Sequence, residues 1–335
     1  MKSFLYLSLL AFLSQAPAHL RAQAFKPYKA DKTIALPGNG GYDYISLDAT
    51  ARRLYVSHGT SVNVVDLRTE QPVGTVDNLT GIHGIAIASS LNKGFISDGK
   101  ASTVVVFELT TLKTLKTIHI TGKDPDAILY DPFTKRVFTF NGESKNASVI
   151  DAETLEPIGS IDLGGSPEFG VSDGAGLIYN NLEDKNALNV IDAKALRILH
   201  TYPLAPCGGP TGLALDKKNQ RLFTVCRENK GMTVVEASTG KIVTTVPIGA
   251  GVDAVTYDPN TGLIFCSNGD GTATIIRQES ADKYSVVQTL KTQFRAKTMA
   301  LDPVTKKIYF SVYDLKDDKK TRVPDSFKLL VYKPS

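Results

Sequence analysis

Pro125-Asp126-Ala127-Ile128-Leu129-Tyr130-Asp131-Pro132-Phe133-Thr134-Lys135-Arg136-Val137-Phe138-Thr139 reads as an apolar strand, a tight turn and a second strand. Asp131-Pro132 opens the turn, because proline fixes φ while the aspartate side chain can bond the turn backbone. The same phrase returns around Asp258-Pro259 and again around Asp302-Pro303. A third strand follows in unit after unit, as in Val62-Asn63-Val64-Val65-Asp66, Ala147-Ser148-Val149-Ile150-Asp151 and Asn189-Val190-Ile191-Asp192. A turn such as Ser238-Thr239-Gly240 then leads to a fourth, as in Lys241-Ile242-Val243-Thr244-Thr245-Val246. Four short antiparallel strands per repeat of about 42 residues is the signature of a propeller blade.

Units begin near Gly41, Ile82, Pro125, Pro167, Pro210, Val252 and Lys297, which predicts an all-β, seven-bladed β-propeller. The seventh unit stops after its third strand, Leu329-Leu330-Val331-Tyr332. Its missing strand stands at the other end of the chain. Lys32-Thr33-Ile34-Ala35-Leu36 matches the outer strand Lys116-Thr117-Ile118-His119-Ile120, so the N-terminal strand is expected to complete the last blade and close the ring. Closure hides sheet edges that an open array would expose.

Residues 25–335 therefore read as one domain. Residues 1–24 read as a signal peptide: Lys2, the apolar run Phe4 to Leu13, and small-residue cleavage options at Ala16-Pro17-Ala18 and Ala22-Gln23-Ala24. The expected location is periplasmic or secreted, with no membrane span. Removing Lys2 and Arg21 leaves 36 basic residues against 34 acidic ones, a balance that argues against nucleic acid as a partner. Three cysteines cannot build a scaffold. Cys207 and Cys226 are candidates for one disulfide, with Cys266 a buried thiol. No Cys-x-x-Cys-His is present, so covalent haem is not expected, and no Gly-x-Ser-x-Gly elbow occurs.

The second strands and their exits read Leu54-Tyr55-Val56-Ser57-His58-Gly59, Gly94-Phe95-Ile96-Ser97-Asp98-Gly99 and Leu263-Ile264-Phe265-Cys266-Ser267-Asn268-Gly269. With the Asp-Pro turns and the Val-Ile-Asp strands, the mature chain resembles the YVTN-repeat, YncE-like propellers of bacterial envelopes and surface layers. The resemblance implies the fold. It leaves the function open, because related propellers serve as enzymes, cofactor holders and binding modules.

Blade topology sorts the polar residues. Asp48, Asp131, Asp216, Asp258 and Asp302, like Asp66, Asp151, Asp192 and Glu236, recur at the same place in successive units, as a turn requirement predicts. Function is expected where units differ. The residues entering the innermost strands are Asp43, His83, Asp126, Glu168, Thr211, Asp253 and Lys297, a ring around the mouth of the channel. Asp43, Asp126, Glu168 and Asp253 are candidate ligands for a divalent metal such as calcium. His58, Asp98, Asn141, Glu183, Arg227 and Asn268 end the second strands on the same face and read as an outer ring. The long loop from Tyr313 to Phe327 is a candidate rim.

The leading expectation is an exported, monomeric binding module whose funnel recognises a small molecule, a metal or an envelope protein. The alternatives are a metal-dependent, lactonase-like hydrolase with His58 or His83 as base, and a structural envelope or surface-layer protein.

Overall fold

Each inner strand is followed by three antiparallel neighbours placed progressively further from the centre. The computed structural model describes residues 25–38 and 40–335; the expected signal peptide lies outside them. Blade one runs Tyr42–Asp48, Arg53–His58, Ser61–Asp66 and Gln71–Val76, and the same four-strand order holds in all seven sheets. The inner strands of the later blades are Ile82–Ala88, Pro125–Asp131, Pro167–Ser172, Pro210–Asp216, Val252–Asp258 and Met299–Leu301. In blade seven the outermost strand is Tyr28–Ala35, paired antiparallel with Lys328–Pro334 so that Ile34 faces Leu329. The N-terminal strand closes the ring as expected.

Among the described residues no single apolar core fills the centre. Seven apolar clusters form instead, one at each junction between adjacent blades. Strand periodicity decides which junction a side chain joins, since successive residues point to opposite sheet faces. Leu54 and Val56 pack toward blade seven, while Tyr55 between them packs toward blade two. Both faces of the middle strands are thus buried, which is why their sequences are continuously apolar rather than alternating. The outermost strands each carry one β-bulge. That irregularity leaves Val73, Leu115, Ile158 and Leu199 exposed and breaks the flat edge that would invite further strands.

The recurrent acids are turn devices. Asp48 Oδ1 accepts hydrogen bonds from the Thr50 and Ala51 amides, and Asp151 and Asp192 each accept two in the same way. Some also tie blades together. Asp302 pairs with Arg52 across the closure, and Lys306 reaches Asp258 at 2.8 Å. The sulfurs of Cys207 and Cys226 lie 2.00 Å apart, joining the entry to blade five to its second strand, while Cys266 is buried and free.

Candidate functional site

In six of the seven blades the inner strand slips register at its first residues, between Tyr42 and Ile45, Ile82 and Ile85, Pro125 and Ile128, Pro167 and Gly170, Pro210 and Leu213, and Val252 and Ala254. Asp43, His83, Asp126, Glu168, Thr211 and Asp253 each sit inside that bulge. A bulge re-aims a side chain and leaves its own backbone unpaired. Small polar residues of the second strands repair the loss. Ser57 Oγ accepts from the Asp43 amide at 3.0 Å and donates to Tyr44 O at 3.1 Å. Ser97 Oγ donates to Asp126 O of the next blade, and Asn180 and Asn181 donate to Glu168 O and Thr211 O. The serine within Val-Ser-His, Ile-Ser-Asp and Cys-Ser-Asn was the sequence signal for these clamps.

The mouth divides into two unlike halves. In one, Asp253 receives Arg227 Nη2 at 2.7 Å and Lys297 Nζ at 2.5 Å, and Glu183 receives Arg227 Nη1 at 2.7 Å. Burial works against the charge on Lys297, but Asp253 outweighs it and holds the ammonium above its ordinary range. Two cations and two carboxylates balance there.

In the other half a single histidine faces three carboxylates. His83 Nδ1 lies 2.8 Å from Asp43 Oδ2 and 3.6 Å from Asp126 Oδ1, and its Nε2 is 3.9 Å from Asp124 Oδ1. The Asp43 hydrogen bond, against the cost of burial and with help from Asp126, lifts His83 to about 9. Asp126 is pushed up to about 7 by burial and by Asp43. Its Oδ1 is buried and accepts no hydrogen bond. Glu168 is driven well above the usual carboxylate range by burial, then by Asp126 and Asp253. Asp124 was missed at the sequence level because it precedes the strand by one residue. So was Gly99: a Cβ there would stand 2.7 Å from His83 Cδ2 and 2.8 Å from Asp124 Oδ1, so only a bare backbone admits the pair.

Below the ring, Tyr44 of blade one meets Phe169 of blade four with ring centroids 4.6 Å apart. Those blades are not neighbours, so this contact spans the channel. Beside the ring, a groove of 450 Å³ opens over Asp43 and His83.

The structure corrects two groupings read from the sequence. The proposed metal quartet is not assembled. Ligand atoms of Asp43, His83 and Asp126 lie within 4.8 Å of one another, whereas Asp253 is neutralised by Arg227 and Lys297 and Glu168 stands outside the cluster. Nor do most members of the outer ring face a ligand. His58 is 1% exposed, stacks on Phe327 at 3.8 Å and touches Pro37 O at 3.3 Å, and burial lowers its pKa. It does not join His83. Asp98 accepts from the Thr80 and Gly81 amides, Asn141 donates to Asn146 and Ser148, and Asn268 donates to Thr272 and Thr274. All three are buried loop clamps. Of that set Arg227 reaches the ring, at Asp253, and Glu183 is tied to it through Arg227.

No family model matches the chain. Antigen Lp49 of Leptospira interrogans is 38% identical over 76 residues, a stretch that is 23% of this chain and 17% of that protein's length. Hydrazine synthase of Kuenenia stuttgartiensis superposes with a TM-score of 0.74 over 88% of this chain and 96% of the other, at 15% identity. A likeness at that identity speaks for the fold alone. Among the described residues no helix is long and apolar enough to cross a membrane. The chain is a seven-bladed β-propeller whose channel mouth carries one charge-balanced half and one with an excess of carboxylates.

Proposed function

We propose that this protein is an exported, YncE-like binding module that takes a small cationic ligand in the carboxylate-rich half of its channel mouth. The observation that carries the reading is the cluster of Asp43, His83 and Asp126, with ligand atoms within 4.8 Å and one buried carboxylate oxygen left without a hydrogen bond. An incoming cation relieves two costs at once, the mutual repulsion of the carboxylates and the unmet acceptor. With the His83 ring giving up its proton to the metal's competition, a histidine with two carboxylates suits Mn²⁺ or Zn²⁺ better than calcium, which prefers an all-oxygen shell. An organic ammonium satisfies the same charge. Export is supported by the leader pattern of residues 1–24 and by the Cys207–Cys226 bridge, which belongs in an oxidising compartment.

The test is elemental analysis of the mature chain, together with thermal melts after chelation and after adding back Mn²⁺, Zn²⁺, Ca²⁺ or an alkylammonium ion. A cation that binds the folded state raises the midpoint by mass action, and Asp126→Asn is expected to abolish the rise. Midpoints that no cation moves would contradict the proposal.

A further inference from the structure

The 450 Å³ groove is bipolar. Asp43 and His83 form its inner end, Tyr42 and Ile82 line its wall, and Lys100 and Arg322 complete it from outside the ring. Lys100 comes from the loop after the second strand of blade two, and Arg322 from the long loop of blade seven. Its volume suits a small molecule rather than a bare ion.

Both outer cations lie close against glycines. A Cβ at Gly81 would stand 2.7 Å from Lys100 Cγ and Cδ, so the lysine stem lies directly on that backbone. Lys100 has no ion-pair or hydrogen-bond partner among the described residues. The Arg322 guanidinium lies 4.7 Å over the Tyr313 ring, and a Cβ at Gly41 would come within 3.3 Å of its Nη2. A surface lysine ordinarily keeps its head in bulk water. Here two cations instead border one small space whose far end holds the Asp43 carboxylate, hydrogen-bonded to His83.

We infer that the ligand of this groove is a zwitterion, with an ammonium at Asp43 and an anionic group, carboxylate or phosphate, between Lys100 and Arg322. The inference rests on the reading of the carboxylate-rich half as a cation site and adds the second charge. A simple cation at the inner end meets the repulsion of Lys100 and Arg322. A zwitterion turns that repulsion into charge-assisted hydrogen bonds.

Calorimetric titration of the mature chain at pH 8 with 5-aminovalerate, pentylamine, valerate and O-phosphoethanolamine tests this. One zwitterion at least is expected to bind about tenfold more tightly than pentylamine, and the tighter of the two identifies the anion as carboxylate or phosphate. In the Lys100→Ala/Arg322→Ala variant that ratio falls to about one; both residues are exposed, so its melt is expected to match the parent's. Pentylamine binding as tightly as both zwitterions would overturn the inference and leave the cation site standing. Binding of Mn²⁺ with none of the organic probes would do the same. No binding of any probe, Mn²⁺ included, would overturn both.

Discussion

The two halves of the channel mouth are built from the same bulged strand starts, yet they differ in what their charges lack. Around Asp253 every charge has its partner. Around His83 three carboxylates share one imidazole. A balanced network resembles a structural staple, whereas an unbalanced one holds free energy that a ligand can release. The same substitution should therefore have opposite signs in the two places.

The largest expected effect is Asp253→Ala. It leaves Lys297 without its partner beside Arg227, which keeps only Glu183, and because both cations are 40% exposed the loss should be about 2–3 kcal/mol, below that of a fully buried pair. Chemical denaturation measures it. A loss no greater than that of an ordinary surface mutation would erase the contrast. Asp126→Asn should instead stabilise the ligand-free protein at pH 8, by about 1–2 kcal/mol, and do little at pH 5. The sign follows from the folded pKa of about 7, raised above the ordinary 3.8. Such a carboxyl stabilises the fold while protonated, and that contribution is lost as pH rises through 7. His83, lifted from 6.5 to about 9, likewise contributes fully below 6.5 and loses its contribution as pH rises through 9. The ligand-free parent should thus melt at progressively lower temperature from pH 5 to 9, as Asp126 and then His83 lose their protons. A saturating cation should flatten that slope. A flat profile without any cation would show the carboxylates to be solvated independently.

Two smaller effects sharpen the comparison. Gly99→Ala must displace His83 or Asp124 and is expected to weaken Mn²⁺ binding about tenfold, read by calorimetry, with little change in melting. Asn268→Ala removes a buried clamp on the other side of the mouth and should cost about 1 kcal/mol of stability while leaving cation affinity alone.

The propeller was legible in the sequence because each blade repeats the same local solution: a strand, an Asp-opened turn, a strand, and a fourth edge strand. Asp131-Pro132 and Asp258-Pro259 announce themselves. Ring closure was legible because one unit lacked a strand that the N-terminus supplied. The site was legible as positions and not as pairings. Asp43, His83, Asp126, Glu168, Thr211 and Asp253 follow from aligning inner strands, but which of them meet depends on ring geometry between units, and periodicity carries no information about that. His58, Asp98, Asn141 and Asn268 show a different limit. They end the second strands of blades one, two, three and six, so the rule that repetition marks structural need already applied to them, as it did to the turn aspartates. Their varied chemistry concealed structural tasks, loop clamping by Asp98, Asn141 and Asn268 and packing on Phe327 by His58.

Paramagnetic broadening by Mn²⁺ tests the central claim most directly, with the histidine ring and arginine Nε signals of the mature protein followed by NMR at pH 8. The account predicts that substoichiometric Mn²⁺ broadens the His83 ring signals first and most, those of nearby His58 and Arg227 less, and those of His119 and His200 in the outer strands least. Broadening spread evenly over these residues, or centred on Arg227, would contradict a cation site in the carboxylate-rich half of the mouth.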